Sequence, residues 1–387
     1  MRGPGIRLVG VVAVVLALAG CTDRPPPRPA PSLAWHEVSL PGNASGAPEV
    51  RDVTGCPGHG YLAGGYRAAD GSTVPALWST VDGQTWTAVP TQPKSVYGPH
   101  HLLSTVACRG DTVVAVGSVP GGVHGNLRTN TWIGTGSGPL TEVPAAFELF
   151  GGPRQIGVGQ LVAGTTGWLI GGARTDANGE AGAAVWFAGD GGSFQLVDND
   201  PALQSDAGAE TVLTGVAPAP AGGFVAVGSA IPASDPATRQ PLVWRSPDGL
   251  HWTRQAVPAG GGDADIEAVV PYRDGLLALG ICGDGFGAWL GSASGWRAVA
   301  RFGRLGGSAL AQITGLAVGL GTAYAVGSDG TRYRLWRSTD AGSWTELSMP
   351  AFVPAGGSSI ARLANVNGQL VLTSDGNGSQ MWLAPAG

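Results

Sequence analysis

Three charged side chains interrupt short apolar segments of this sequence. They are Arg51 in VRDV, Glu267 in IEAVV and Arg362 in IARLA. A guanidinium group can bind a ligand carboxylate, and glycoside hydrolysis needs carboxyl groups as acid and nucleophile. A charge in such a segment is costly to bury unless it is paired or stays solvated in a ligand-binding site. All three are therefore candidate ligand-binding residues, and salt bridges that merely fill the interior remain the alternative.

Polar loops between the apolar segments supply four more candidate ligand-binding residues: Tyr97, His100, His124 and Arg154. Together with His101, the two histidines raise the question of a metal site. Adjacent residues of an extended segment point in opposite directions, so His100 and His101 would rarely bind one ion. We predict that these histidines are solvated loop residues and that they hold no metal.

Acidic residues are concentrated in some of the same loops. They are Asp198, Asp200, Asp206, Glu210, Asp263, Asp265 and Glu267. Calcium requires several oxygen ligands at close range, and the ordered spacing of an EF-hand is missing. We predict solvated acids and no cofactor, with a calcium site as the alternative left open.

The cysteines divide into one at the N-terminus and three in the body of the chain. Cys56 and Cys108 each follow an apolar segment at the same point of consecutive repeats, so they should share one face and could form a disulfide. Cys282 follows a different segment of its repeat and should lie on the opposite face. The disulfide state of all three remains open at this stage.

The first 31 residues read as an export signal and a spacer. Arg2 and Arg7 precede an apolar run that ends in Leu18-Ala19-Gly20-Cys21. This ending resembles the bacterial lipobox, which implies that residues 1–20 are removed as a signal peptide and that Cys21 is lipidated. The Pro-rich segment 21–31 would then be a stiff tether. The expected location is the extracytoplasmic side of the cell membrane, with the lipid as anchor.

Composition limits what residues 32–387 can be. The chain of 387 residues contains 66 Gly, 29 Pro and 13 Trp, and only 13% of it is charged. Gly and Pro at this frequency disfavour long helices and suit short strands joined by tight turns. The net charge of −5 argues against a nucleic-acid partner.

A sevenfold repeat predicts the architecture. The tryptophans at the repeated position are separated by 45 to 58 residues: Trp78, Trp132, Trp186, Trp244, Trp289, Trp336 and Trp382. Two apolar segments precede each of them and, except after the last, a fourth segment follows. Four short strands at this period are typical of a propeller blade. We predict an all-β, seven-bladed β-propeller with the tryptophans in its core.

The two ends of the chain complement each other. The seventh repeat stops after its third strand, at Met381-Trp382-Leu383, while AWHEVSLP (34–41) matches the fourth strands of other repeats. We predict that Trp35 to Leu40 completes the last blade. Such pairing removes an open sheet edge.

Three segments between third and fourth strands combine Ser or Thr, Asp, Gly and Trp: STVDGQTW (79–86), SPDGLHW (246–252) and STDAGSW (338–344). Their Asp can accept backbone N–H bonds across the turn. The segments resemble the Asp-box, or BNR repeat, of sialidases and sialidase-like propellers. In that family the box is a folding device on the face away from the active site. The resemblance therefore implies structural roles for Asp82, Asp248 and Asp340.

The same resemblance raises a sialidase-like glycoside hydrolase as the alternative function. Sialidases use three arginines to bind the substrate carboxylate, for which Arg51, Arg154 and Arg362 are the candidates. However, the Arg-Ile-Pro motif and a matching Tyr–Glu pair are missing, and sialidases have six blades. We expect instead a non-catalytic binding or scaffolding module. It would be monomeric and would bind an envelope protein or a glycan through the loops around one mouth of the channel.

Overall fold

The computed structural model describes residues 30–307, 309–376 and 378–387. The predicted signal peptide, Cys21 and the tether up to residue 29 lie outside these ranges. The described residues form seven antiparallel sheets that contact one another in a ring. This arrangement confirms the predicted seven-bladed, all-β propeller.

Each blade takes four consecutive strands, except the last. Blade 1 contains β2 Ala47–Cys56, β3 His59–Arg67, β4 Thr73–Thr80 and β5 Thr87–Val89, and blade 2 contains β7 Leu102–Arg109, β8 Thr112–Gly121, β9 Asn126–Thr135 and β10 Leu140–Val143. Blade 3 contains β11 Gln155–Ala163, β12 Trp168–Thr175, β13 Ala181–Ala188 and β14 Gln195–Val197. Blade 4 contains β15 Ala209–Pro218, β16 Phe224–Pro232, β17 Gln240–Ser246 and β18 Thr253–Ala256. Strand β6, Thr91–Gln92, adds to blade 2 by pairing in parallel with β10.

The remaining blades follow the same plan. Blade 5 contains β19 Ala264–Tyr272, β20 Gly275–Cys282, β21 Gly285–Ser292 and β22 Gly295–Phe302. Blade 6 contains β23 Ala311–Gly319, β24 Thr322–Asp329, β25 Tyr333–Ser338 and β26 Thr345–Leu347. Blade 7 contains β27 Ile360–Val366, β28 Gln369–Asp375 and β29 Gln380–Pro385, together with β1 His36–Glu37 from the start of the described chain. Two helical turns, Gly98–His100 and α1 Phe147–Phe150, lie in the connections around blade 2. No helix among the described residues has the length and apolar character needed to cross a membrane.

The N-terminal segment closes the ring as predicted. Strand β1 pairs antiparallel with β29, with His36 opposite Leu383, and the N–H of Val38 donates to the carbonyl of Met381 at 2.9 Å. The strand itself covers only His36–Glu37, which is shorter than the predicted Trp35 to Leu40. The flanking side chains still pack onto the blade clusters, so the segment contributes more packing than backbone pairing.

Tryptophans at the repeated position form the core between blades. All seven lie in third strands and are at most 5% exposed. Trp168, which is out of register with them, is fully buried at the start of β12. Flat, large side chains at this position fill the wedge between neighbouring sheets, and this explains why the sequence repeats them.

The first strand is irregular in every blade except the last. The pairing of first and second strands shifts register in these six blades. Bulges of this kind turn a side chain away from its expected direction. Arg51, Thr214, Glu267 and Thr314 lie at four of the shifts.

Candidate functional site

The propeller has two distinct faces. The turn face carries the hairpins between first and second strands and the Asp-box turns. Asn367 of the blade 7 hairpin donates its side-chain N–H to the carbonyl of Val81 in the blade 1 Asp-box turn at 2.9 Å. The loop face carries the longer connections, including those with Tyr97, His124 and Arg154.

A central channel of about 790 Å³ runs along the seven first strands. Its lining is mainly polar and includes Asp52, Gln160, Glu267, Gln312 and Arg362. Two of the three charged candidates from the apolar segments, Glu267 and Arg362, thus line the channel.

Side chains from the channel wall bridge every junction between neighbouring first strands. In each bridge one side chain bonds to the backbone of the next blade: Asp52 to Val106 N–H, Thr105 to Leu161 N–H, Gln160 to Val216 N–H, Thr214 to Ile266 C=O, Glu267 to Ile313 N–H, Thr314 to Ala361 C=O, and Arg362 to Arg51 C=O. Glu267 and Arg362 belong to this ring of bridges. Their geometry supports the interpretation that they hold blades together.

Glu267 is a strongly perturbed acid of the ring. Its carboxylate accepts the N–H of Ile313 at 2.7 Å. Burial raises the pKa of Glu267 to about 8, and the nearby Asp265 charge adds to this effect. Burial likewise raises the pKa of Asp52. Burial in the channel wall therefore favours the protonated form of both carboxyl groups.

This perturbation predicts a pH dependence of stability. The pKa of Glu267 is higher in the folded protein than in the unfolded chain. Its contribution to the free energy of unfolding is therefore complete below about pH 4.5 and is lost as the pH rises toward about 8. The Glu267→Gln variant, which keeps an oxygen that can accept the Ile313 N–H, should lack this component. Urea unfolding of both proteins from pH 4.5 to 8.5 measures it. Parallel profiles for the two proteins would contradict the assignment.

Arg51 lies in a compact charged cluster at the loop-face end of blade 1. It contacts the buried carboxylate of Glu49, which Arg67 also binds, and its Nη1 is 3.2 Å from Asp375 Oδ2. Burial raises the pKa of Glu49, but the guanidinium groups of Arg67 and Arg51 outweigh it and leave that pKa below its ordinary value. Sequence reasoning missed Glu49, although a Glu within an apolar segment was a usable signal.

Arg154 lies apart from this cluster, in the connection to blade 3. Its Nε donates to the carbonyl of Thr175 at 2.8 Å, and its Nη2 is 3.5 Å from Asp198 Oδ2. Arg174 is at the same distance from that oxygen. Arg362 donates to the carbonyl of Thr314 at 2.7 Å. The three arginines compared with a sialidase triad are thus each bonded to internal partners.

The loops around blade 2 present ordered side chains on the loop face. The guanidinium carbon of Arg128 lies 4.1 Å from the ring centre of Phe147 and 5.7 Å from that of Tyr97. Val96 and Val123 are beside them in sequence and are 87% and 95% exposed. We call these five residues the blade-2 patch. The sequence drew attention only to Tyr97, because the other contacts depend on how the β8–β9 hairpin extends.

Buried Glu142 holds one of these loops in place. Its carboxylate accepts the N–H groups of Lys94 and Ser95, the hydroxyl of Ser95 and the side-chain amide of Asn130, at distances between 2.5 and 2.8 Å. Burial raises the pKa of Glu142, but these bonds together lower it below its ordinary value. The loop next to Tyr97 is therefore preorganised by a fixed anion.

The histidines behave differently from one another. His100 and His124 are exposed on the loop face, as predicted. The prediction was wrong for His101, which is fully buried. Its Nδ1 accepts the indole N–H of Trp132 at 3.2 Å, and burial lowers its pKa to about 4. His101 therefore serves as a neutral packing residue.

The acidic residues also have internal roles. Asp200 accepts the N–H groups of Ala202 and Trp252. Asp263 and Asp265 are both bound by Arg239, and Asp265 is only 5% exposed, so it is not a solvated acid as predicted. Across the described ranges, no three His, Cys, Asp or Glu side chains are grouped closely enough to hold a metal ion.

The Asp-box side chains form closed turns on the turn face. Asp248 accepts the N–H groups of Leu250 and His251, both at 2.9 Å, and Ser246 accepts the N–H of Gly249 at 2.8 Å. Asp82 and Asp340 make the corresponding bonds. This geometry supports the structural roles that the family resemblance implies.

Removing one of these carboxylates should have a modest, local cost. Asp248→Ala should lower the free energy of unfolding by about 1 kcal/mol, because two turn N–H groups lose their acceptor. Urea denaturation measures the change. Asp274→Ala, which removes an exposed turn carboxylate, is the control. Equal effects of both substitutions would contradict the assigned role.

Cys56 and Cys108 are joined as a disulfide, with their Cα atoms 6.0 Å apart. Both lie at the ends of first strands of consecutive blades, inside the strands and not after them. Cys282 is a buried thiol at the end of β20, and its Sγ is 3.7 Å from the carbonyl oxygen of Ala259. Burial raises the pKa of the Cys282 thiol.

No protein-family model matches the chain, and no curated protein does either. Among solved structures it is similar to the acylaminoacyl peptidase of Pyrococcus horikoshii, with 6% identity, a TM-score of 0.51 and coverage of 88% of this chain and 52% of that one. It is also similar to a puromycin-hydrolyzing peptidase of Mycobacterium tuberculosis, with 12% identity and a TM-score of 0.51. That match covers 93% of this chain and 55% of the peptidase. The chain thus spans about half the length of these structures. At such identities the similarity shows a shared propeller fold.

Proposed function

We propose that this protein is a non-catalytic binding or scaffolding module on the extracytoplasmic side of the cell membrane. A lipid on Cys21 would attach it, and the blade-2 patch would bind an envelope protein or a glycan. No nucleic acid is involved in this proposal, and the module acts as a monomer.

The patch itself is the observation that carries the proposal. Val96 exposes most of its apolar surface although Glu142 fixes the loop that carries it, and Val123 is exposed at the tip of the β8–β9 hairpin. Tyr97 and Arg128 are in contact and already ordered. Tyr and Arg dominate the energetics of protein interfaces, and a rigid patch binds with less loss of conformational entropy.

Photo-crosslinking in intact cells tests the proposed surface. A photoreactive residue at position 123 of the full-length protein should form a discrete adduct, and Tyr97→Ala or Arg128→Ala should weaken it at least several-fold. Position 320, an equally exposed apolar site on the turn face, is the matched control. Glycan-array binding by the same variants distinguishes a sugar from a protein ligand. Equal adducts at positions 123 and 320 would overturn the proposal.

Two further measurements test the remaining parts. Mass spectrometry of the mature N-terminus should find an acylated Cys21, and Cys21→Ser should release the protein from the membrane fraction. Fluorogenic sialosides should not be turned over. Turnover that is abolished by Arg51→Gln or Arg362→Gln would establish the glycoside-hydrolase alternative instead.

A further inference from the structure

The described chain begins against the outer strand of blade 6. The hydroxyl of Ser348 donates to the carbonyl of Ala30 at 3.0 Å, and its N–H donates to that of Pro31 at 2.8 Å. Cys21 precedes Ala30 by nine residues. Nine residues span at most about 32 Å. A lipid on Cys21 would therefore hold blade 6 close to the bilayer.

Two exposed apolar side chains lie on the loop face of this same blade. Phe352 is 70% exposed and Leu310 is 48% exposed. The connection that carries Phe352 meets both Leu310 and Arg332: Leu310 lies beside Gly356, and Arg332 pairs with Pro354 in an antiparallel bridge. Phe352 is the one large aromatic hydrophobic side chain in the described ranges that is mostly exposed.

Charges of both signs surround these side chains: the exposed Asp284 is paired with Arg301, whereas two arginines have no carboxylate partner within the described ranges. Arg304 and Arg332 are exposed, and neither forms an ion pair with a carboxylate of the described residues. The nearest acid in sequence to Arg332, Asp329, is buried and bound by Arg334. This local excess of positive charge contrasts with the net charge of −5 for the whole chain.

We infer that Arg304, Leu310, Arg332 and Phe352, which we call the blade-6 tip, contact the surface of an anionic lipid membrane. Apolar side chains beside arginines can enter the headgroup region and attract anionic lipids. A protein surface next to the tether would supply an attachment beside the lipid. Blade 2 lies three blades away around the ring, so the blade-6 tip and the blade-2 patch are separate surfaces of the loop face.

Vesicle co-sedimentation tests this contact without the lipid. The chain from Thr22 onward keeps all seven blades and the closing strand, so its fold does not depend on acylation. It should bind vesicles of equal parts phosphatidylglycerol and phosphatidylcholine, and bind vesicles of phosphatidylcholine alone much less. Salt should weaken the binding, because exposed charges are screened. The inference rests on the proposed lipid anchor only for the orientation of the protein on the membrane. The vesicle assay involves no partner, so a negative result would leave the proposed partner binding unaffected.

Matched variants identify the residues responsible. Arg304→Gln and Arg332→Gln should each weaken binding about fivefold, and Phe352→Ser should weaken it about tenfold. Leu320→Ser, at an 87% exposed site on the turn face, should bind like the wild type. The inference is overturned if the chain from Thr22 onward without any substitution does not bind the anionic vesicles. It is also overturned if the Phe352→Ser variant binds them as well as that chain does. Thermal melts of all variants verify that they are folded.

Discussion

A chain that begins at Gly42 should fail to form a stable propeller. The deletion removes β1 and the partly buried Leu33, Trp35, Val38 and Leu40, which pack on the clusters of blades 6, 7 and 1. Half-buried side chains of this size contribute roughly 1 to 2 kcal/mol each, against total stabilities of about 5 to 15 kcal/mol. The deletion also exposes the backbone of β29 as an open edge. We expect an aggregating protein with a melting temperature lowered by many degrees, or no cooperative melt.

The control is a chain that begins at Ala30, which keeps every contact of the closing segment. Circular dichroism melts and gel filtration should show this shorter chain to be monomeric and as stable as the chain from Thr22. A Gly42 chain that melted cooperatively at the temperature of the Ala30 chain would refute the importance of closure. It would mean that the ring of first strands suffices to hold blades 1 and 7 together.

Removing the Cys56–Cys108 disulfide should be the other large effect. The two cysteines are 52 residues apart, and a loop of this length gives about 4 kcal/mol through the entropy of the unfolded chain. The Cys56→Ser/Cys108→Ser variant should lose most of this free energy in guanidinium unfolding. Added reductant should destabilise the wild type to the same level and leave the variant unchanged.

Counting thiols provides an independent check of the pairing. The chain from Thr22, denatured without reductant after export, should show one reactive thiol, that of Cys282. Cys282→Ser is the control for stability, because its thiol is buried but takes no part in the disulfide. Three reactive thiols, or an unfolding free energy indifferent to reductant, would contradict the disulfide.

The repeating features were predictable because they depend on local pattern. Trp at one position per repeat, Gly at the turns and apolar alternation specify a blade irrespective of its neighbours. The Asp-box turns are equally local, since Asp248 bonds to N–H groups two and three residues ahead. Closure by the N-terminal segment was predictable because the seventh repeat lacks a strand of recognisable sequence.

The channel and the two surfaces were less accessible to sequence reasoning. Glu267 looked like a ligand residue, but the bulge in β19 brings its carboxylate to the N–H of Ile313 on the next blade. His101 looked like a loop residue, but the β9 strand places Trp132 against it. Such contacts join residues about 30 to 50 positions apart and depend on the angle between blades.

By itself, the sequence determined the number of blades and the core positions of the tryptophans, because these features repeat along the chain. It also determined the closing strand, because the last repeat lacks a strand whose pattern the N-terminal segment matches. Tertiary structure alone decided which charges serve the ring and which side chains stay exposed. Arg362 and Glu267 became bridges because neighbouring first strands converge on the channel. Phe352 and Val123 lie in connections outside the strands and remained exposed. Exposure and convergence are properties of the assembled ring, and a linear pattern does not encode them.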